Sequence, residues 1–386
     1  MDKKPERLVP EVRFKGFTDD WEQHKLRKVA CINPKTNIPD NFKYVDLESV
    51  VGTSLIKAKL TTKQLAPSRA QRVAKKGDIF YQTVRPYQKN NFLFDINNYD
   101  FQYVFSTGYA QLRSEINNYF LFSYLQRQRF VNLILRRSTG TSYPAISSKD
   151  LSEIKIIFPR NSKEQENIGK IINLIDALIT LQQRKLEQLK LLKKAILQII
   201  ASNGFLLHTK KVDMIKVRVA DIYQITRGNV LARSEISNVQ TSKYPYPVYS
   251  SQTKNLGLMG YYKDFLFKNA ITWTTDGANA GTVKYRKGRF YSTNVNGVLL
   301  SSEGLANQLT AELLNLVAFK YVSHVGNPKL MNNTMGEIMF NIPESIETQQ
   351  YFSNCIELVI NLIGKQEKAI DKLNKLKKYL LQELFI

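Results

Sequence analysis

SKEQENIGKIINLIDALITLQQRKLEQLKLLKKAILQII, residues 162–200, has no proline and one glycine, Gly169. Apolar residues recur in alternating steps of three and four at Ile168, Ile171, Ile175 and Leu178, and again at Leu189, Leu192, Ile196 and Ile199. That spacing over roughly five heptads is the pattern of a coiled-coil seam, interrupted in the middle by Gln182 and Lys185. Just upstream, Pro159 closes a strand-like run at 154–158, and Ser162 with Gln165 three residues later forms a capping-box pattern. A helix of this length would extend about 55 Å at ~1.5 Å per residue.

The stretch occurs twice. Pro144–Ser202 aligns without a gap on Pro328–Ile386, at an offset of 184 residues. Identities include Glu153/Glu337, Pro159/Pro343, Gln165/Gln349, Gln182/Gln366, Leu189/Leu373, Lys193/Lys377 and Lys194/Lys378. The second seam reads Phe352, Cys355, Val359, Leu362, Gln366, Ala369, Leu373, Leu376 and Leu380. A helix with one apolar stripe needs a partner in water, and the nearest matching stripe is the other copy. The expected arrangement is an antiparallel coiled coil about a pseudo-twofold axis, with Ile168, Ile175, Leu178, Gln182, Leu189 and Leu192 facing Val359, Leu362, Gln366, Leu373 and Leu376. Gln182 and Gln366 fall near the helix midpoints; either they meet and set the register, or both face solvent.

Upstream of each repeated block lies a longer segment that barely resembles its counterpart. Both read as mixed α/β. The first has strand-like runs at 43–51, 78–84 and 103–112 and a helical stretch at 118–135. The second has runs at 246–250, 270–275, 283–286 and 290–300 and a helix around 309–324. The fold class is therefore α+β: two mixed domains, 1–160 and 205–343, separated by two long helices, 161–204 and 344–386. One scaffold used twice to present two different surfaces is the reading, and self-similarity of this kind decides architecture before any local motif does.

Charge follows the same division. The chain carries 56 Lys+Arg against 33 Asp+Glu, a net of +23. Residues 1–161 hold 27 basic and 15 acidic residues and 205–343 hold 16 and 8, whereas the repeated helices hold 7 against 4 and 6 against 6. Positive charge concentrated in the dissimilar segments points to a polyanion, nucleic acid first; the plain alternative is a basic surface kept for solubility. Two distant cysteines, Cys31 and Cys355, suggest no disulfide framework. The histidines His24, His208 and His324 are scattered and no Cys/His spacing suits zinc. Met1 to Pro5 lead into no apolar core, and no apolar run approaches the ~18 residues of a membrane span. A soluble, cytoplasmic protein is expected.

Catalytic signatures are missing from the sequence. There is no phosphate-cradling Gly-x-x-x-x-Gly-Lys-Ser/Thr and no Asn/Asp-Pro-Pro-aromatic tetrapeptide of an amino-methyltransferase. Gly277-Ala278-Asn279-Ala280-Gly281 lacks a following Lys-Ser/Thr and reads as a strand-linking loop. Glu153-x-Lys155 becomes Glu337-x-Met339 in the second copy, which argues against a nuclease centre.

Base-reading ingredients remain. The first segment offers Arg69, Arg72, Lys75 and Lys76 before a strand, then Gln82, Arg85, Tyr87, Gln88, Lys89 and Asn90 after it. Arg136 and Arg137 precede a turn containing Thr141, Ser142 and Tyr143. The second offers Trp273, Thr275, Asp276 and Asn279 at a strand end, Arg286, Lys287 and Arg289 in a turn, and Asn327 with Lys329. Arg and Lys neutralise phosphates, while Arg to guanine and Asn or Gln to adenine are the favoured bidentate readers. Each residue alone is better explained by a solvated surface, and Trp273 and Tyr143 by core or loop anchoring; the inference rests on the set and not on any member of it.

These features resemble the specificity subunit of type I restriction–modification systems. The resemblance rests on Val9-Pro10-Glu11-Val12-Arg13-Phe14-Lys15-Gly16-Phe17 through Trp21 to Leu26, on Gly77-Asp78-Ile79, on the Ser/Thr-Gly turn before Pro144, on the Pro159…Gln165 helix entry, and above all on the duplicated layout. The second segment lacks the Trp-containing opening; Lys216-Val217-Arg218 to Ile222 echoes Lys25-Leu26-Arg27 to Ile32 only loosely. The resemblance implies a non-catalytic subunit with two target-recognition domains, each reading half of a split DNA site, and a helix pair acting as ruler. It implies two modification subunits that methylate adenine with S-adenosylmethionine, and two restriction subunits that use ATP and magnesium. This chain itself would bind no cofactor and no metal. A stand-alone DNA-binding or scaffold protein is the alternative.

Overall fold

The computed structural model describes residues 8–202, 206–207, 210–251 and 254–386; Met1 to Pro5, His208 and the boundary expected at 204/205 lie outside the described residues. Two compact units divide the chain, one formed by residues up to 183 with 369–386 and one by residues 184–368. Each combines small sheets, short helices and part of both long helices, so the fold is α+β.

The first unit runs β1 (Glu22–Lys25), β2 (Ala30–Ile32), β3 (Asn41–Val45), β4 (Lys59–Thr62), β5 (Ala70–Val73), β6 (Ile79–Gln82), β7 (Phe92–Leu93), β8 (Tyr103–Ser106), β9 (Tyr109–Ser114), α1 (Asn118–Gln126), α2 (Gln128–Arg137), β10 (Lys155–Phe158) and the start of α3 (Ser162–Ala201). Two four-stranded sheets, β4-β3-β8-β5 and β2-β9-β6-β7, lie beside the antiparallel pair β1-β10. The run expected as one strand at 103–112 breaks at Thr107-Gly108, and its halves enter different sheets. A Cβ at Gly108 would stand 2.9 Å from the Leu47 side chain, which would have to shift to admit it. The helix expected at 118–135 breaks at Arg127, whose extended backbone (ψ 142°) lets its guanidinium lie 3.9 Å over the Tyr124 ring.

The second unit runs β11 (Met214–Arg218), β12 (Gln224–Arg227), β13 (Tyr246–Tyr249), β14 (Leu258–Tyr262), β15 (Phe267–Thr274), β16 (Val283–Ser292), β17 (Asn296–Leu300), α4 (Gln308–Ala318), β18 (Met339–Pro343) and the start of α5 (Ile346–Glu383). Its main sheet is six-stranded, β12-β17-β15-β16-β13-β14, with β11-β18 apart. Arg286, Lys287 and Arg289 do not form the expected turn: β16 continues through them. The Lys-Gly-Arg sequence that looked like a turn is a bulge, where Gly288 (φ +77°) donates its N–H to Asn269 Oδ1 at 2.7 Å. The chain turns instead at Thr293–Val295.

The repeated blocks explain their own identities. Gln165 donates from Nε2 to the Pro159 carbonyl at 2.8 Å and accepts from the Asn117 N–H at 3.0 Å, while the Asn117 side chain caps α1. Gln349 donates to the Pro343 carbonyl at 2.8 Å and accepts from Asn307 Nδ2 at 3.4 Å, and Asn307 caps α4. Each glutamine thus latches a long helix to the helix of its own unit. Gln165 is not part of a capping box; Asn161, accepting from the Lys163 N–H at 2.9 Å, caps α3. The Leu26 N–H donates to the Ile154 carbonyl and the Val219 N–H to that of Ile338. Arg218 therefore corresponds to Lys25, two residues on from the sequence alignment. Both pair with the repeated glutamate: Lys25 with Glu153 at 2.5 Å, Arg218 with Glu337 at 3.3 Å. In the first unit Glu164, 1% exposed, takes the Arg13 guanidinium in two bonds at 2.7 and 2.9 Å, with Trp21 Nε1 at 3.4 Å. Its counterpart is Thr348, and the second segment lacks the Arg…Trp opening.

Within each unit the long helices run antiparallel. In the first, Ile168 and Ile172 share a core with Leu384 and Phe385, and Asp176 pairs with Lys377 at 2.5 Å. In the second, Leu197 and Ile200 share a core with Phe352, Ile356, Trp273 and Leu309. The expected seam needs one correction. Leu178, Leu192, Leu362 and Leu376 are 37, 49, 49 and 44% exposed and face outward. The inward positions are Ile172, Ile179, Leu186, Leu197 and Ile200 on α3, and Ser353, Ile356 and Gln366 on α5, mostly one residue beyond the expected ones. Ile168 and Ile175 are buried, and Gln182, Leu189, Val359 and Leu373 half-buried. The reason is that Ile171/Ile172, Leu178/Ile179 and Ile199/Ile200 are apolar doublets, so steps of three and of four both land on apolar residues.

Candidate nucleic-acid interface

A strand end and a turn meet in the same way in both units. After β6, the Arg85 N–H donates to the Pro144 carbonyl at 2.8 Å and the Ile146 N–H to that of Thr83, while Thr139 and Ala145 exchange two bonds of 2.9 Å. After β15, the Gly277 N–H donates to the Pro328 carbonyl at 2.9 Å and the Leu330 N–H to that of Thr275, while Ser323 and Lys329 exchange bonds of 2.8 and 3.0 Å. The frame is shared; what it presents is not.

In the first unit this frame gathers Arg85, Tyr87, Gln88 and Lys89 with Thr141, Ser142 and Tyr143. Arg85 is held at φ +54°, a costly backbone for a residue with a Cβ, and its guanidinium lies 4.2 Å from the centre of the exposed Tyr143 ring. Arg136 and Arg137, exposed in the last turn of α2, lead into the same turn. Gln82 is 1% exposed and spent on shape: it donates to Gln88 Oε1 at 2.9 Å and accepts from the Asn90 N–H at 3.2 Å. Lys75 and Lys76 precede β6 and so stand at its opposite end. Arg69 lines a separate cleft of ≈370 Å³ with Lys57 and Lys59, and the half-buried Arg72 has no partner for Nε. Burial pulls the Arg72 guanidinium below its usual range.

A larger cleft of ≈980 Å³, also within the first unit, collects Lys89, Arg127, Lys377 and Lys378 against a single lining carboxylate, Asp176. Arg127 is 6% exposed; one Nη donates to the Ile386 carbonyl at 2.6 Å and its Nε has no partner. Burial lowers the pKa of Lys89, and the charges of Lys377 and Lys378 add to the effect. Arg127 carries no signal in the sequence, because its neighbours in space come from the far end of the chain.

In the second unit the frame carries Asp276 and Asn279, half-buried, with Asn327 and Lys329 exposed. Trp273 is 0% exposed and donates Nε1–H to the Leu330 carbonyl at 2.9 Å, which makes it a core anchor. Thr275 is also buried, donating to the Val295 carbonyl at 3.0 Å. Lys287 is committed to Glu357 of α5 at 2.7 Å, and Arg289 lies over Phe265. Arg286 is buried against the Tyr249 ring at 3.8 Å, beside Lys284, which the sequence reading passed over. Strand alternation along the run 283–286 puts Lys284 and Arg286 on one face. Among the described residues no cluster of three or more His, Cys, Asp or Glu could hold a metal ion, and no helix is long and apolar enough to cross a membrane.

Two unlike cationic surfaces on one repeated frame define a nucleic-acid-reading protein. A family model described as the type I restriction modification DNA specificity domain matches residues 18–191 and again 211–375. A putative type I specificity subunit of Mycoplasma pneumoniae is 30% identical over 216 residues, 55% of this chain and 78% of that protein. A second from the same organism, described as an N-terminus, is 42% identical over 124 residues, 31% of this chain and 65% of the relative. The crystal structure of a type I system S subunit from M. genitalium superposes with a TM-score of 0.72 at 16% identity, covering 98% of this chain and 99% of that one. The chain belongs to the type I restriction modification DNA specificity domain family. It is the DNA-recognition subunit of such a system and not itself an enzyme.

Proposed function

We propose that each unit reads one half of a bipartite site in duplex DNA, and that the long helices dock two modification (methyltransferase) subunits, which bring S-adenosylmethionine. Restriction subunits carrying ATP and magnesium join the same assembly, which acts on DNA in the cytoplasm. The observation that carries the docking reading is a second apolar stripe. Leu174, Leu178, Leu181 and Leu192 on α3 are exposed, as are Leu358, Leu362 and Leu376 on α5. Three of these are identical pairs in the repeat, Leu174/Leu358, Leu178/Leu362 and Leu192/Leu376. Solvent-facing leucines at helical spacing suit a partner helix, and their duplication suits two copies of one partner.

Changing Leu178 and Leu192 to Lys tests this on the full chain. The free chain should unfold within about 0.5 kcal/mol of the parent, since both side chains already face water. Bound modification subunit, counted by light scattering, should fall from two copies to one, and changing Leu362 and Leu376 as well should remove the second. Undiminished binding by the quadruple variant would overturn the stripe as the docking surface, and no binding by the parent chain would favour the stand-alone reading.

A further inference from the structure

On β16 the alternation Val283-Lys284-Tyr285-Arg286 sends Val283 into the core of the second unit and turns Lys284 and Arg286 to the other face. Thr272 and Thr274 of β15 and Asn296 of β17 join them, bounding a crevice with about one water's room, ≈20 Å³. Cross-strand register sets Thr272 opposite Lys284 and Thr274 opposite Asn296. Arg286 is 8% exposed, donates from Nε to Thr272 Oγ1 at 3.1 Å, and packs on Tyr249. Neither cation has an ion-pair partner within 4.0 Å among the described residues. The carboxylate acting on Lys284 through space, Glu312, is bonded to Lys193 at 2.6 Å.

Two like charges drawn out of water side by side destabilise a fold unless something neutralises them. Their state shows the cost: burial, with the Arg286 charge added, brings Lys284 down to about 8, and burial brings Arg286 down to about 10. The first unit treats a sheet cation differently, giving Arg113, whose side chain is 34% exposed, the buried carboxylate of Asp78 in two bonds of 2.9 Å. Among the described residues no carboxylate lines the crevice of the second unit, which has room for one oxygen atom.

We propose that this crevice is a DNA contact of the second unit, in which Lys284 and Arg286 together receive one acceptor oxygen of the duplex. The proposal rests on the chain being a DNA-recognition subunit, and it assigns two residues of that contact. The oxygen is either guanine O6 or a non-bridging phosphate oxygen; both satisfy the same donors.

Opposite signs in two measurements test it. The probe is the set of duplexes that the unmodified full chain recovers from a random-sequence pool. Lys284→Met should raise the melting temperature of the free chain at pH 7, because a desolvated charge is removed. The same variant should weaken duplex binding tenfold or more. Arg286→Lys, which keeps the charge but loses the planar donor fork, should weaken binding as well. Loss confined to duplexes with one base pair at one position identifies guanine O6. Uniform loss, with the salt slope reduced by about one, identifies phosphate. Parental affinity should also fall between pH 7 and 9 as Lys284 loses its charge, and Lys284→Met should not share that fall. Unchanged binding by both variants overturns the proposal while leaving DNA recognition by the chain intact. If the unmodified chain recovers no duplex at all, the recognition reading falls with it.

Discussion

The two recognition units hang from the same frame and differ in how they treat charge. In the first, two partly buried arginines have carboxylate partners, Arg113 with Asp78 and Arg13 with Glu164, and Gln111 adds a 2.7 Å bond to Asp78, while the buried Arg127 donates to the main-chain oxygen of Ile386. In the second, Glu164 has become Thr348, no counterpart of Arg13 is needed, and Lys284 and Arg286 stand without a carboxylate. The shared elements include contacts to the long helices, the Gln165 and Gln349 latches with the capping Asn117 and Asn307, and the Glu153 and Glu337 strand-end pairs. Divergence begins where those contacts end. A duplicated handle constrains only the residues that grip it, which leaves each sheet face to be shaped by its own ligand.

The sharpest way to break this comparison is Glu164→Ala against Thr348→Ala. Removing Glu164 strands Arg13, 14% exposed, and the Trp21 Nε1–H. Losing one partner of such a pair should cost about 3 kcal/mol. Thr348→Ala should stay within about 0.5 kcal/mol. Urea unfolding of the full chain reads both, and equal losses would mean that the first unit has no added lock. Next in size is the latch itself. Gln165→Ala and Gln349→Ala each remove a donor and an acceptor from buried backbone or amide partners, at about 1–3 kcal/mol each. Here the two units should respond alike; a loss at one site only would show that the repeat is decorative at the other.

The smallest effect is one of pH. Burial brings Lys284 down to about 8 in the folded chain, from 10.5 in the unfolded chain. Below pH 8 both states are charged and the burial penalty is fully felt; between 8 and 10.5 the unfolded chain holds the extra proton, so stability rises with pH. Subtracting the pH profile of Lys284→Met from that of the parent isolates this rise. A flat difference across that window would mean that Lys284 is not desolvated.

Much of this was legible in the sequence. The gapless repeat, the antiparallel helices and the division into two unlike basic segments all follow from the 184-residue offset and from where Lys and Arg fall. What escaped was local. The inward stripe was misplaced by a residue because Leu178/Ile179 and its kin offer apolar side chains at both candidate steps. Arg286 was misread as a turn residue because Lys287-Gly288-Arg289 is a bulge inside a ten-residue strand. Trp273, offered as reader or anchor, is a core anchor, because alternation along β15 turns it inward with Ile271. The donors to Gln165 and Gln349 could not be guessed at all, since those bonds join segments 42 to 48 residues apart.

The central claim is that the two units read separately. Replacing 212–342 with the corresponding segment of another specificity subunit, and mapping methylated adenines in cells that also carry the modification subunit, tests it directly. The account predicts that one half of the recognised sequence changes and the other is retained base for base. A change in both halves, or in neither, would contradict it.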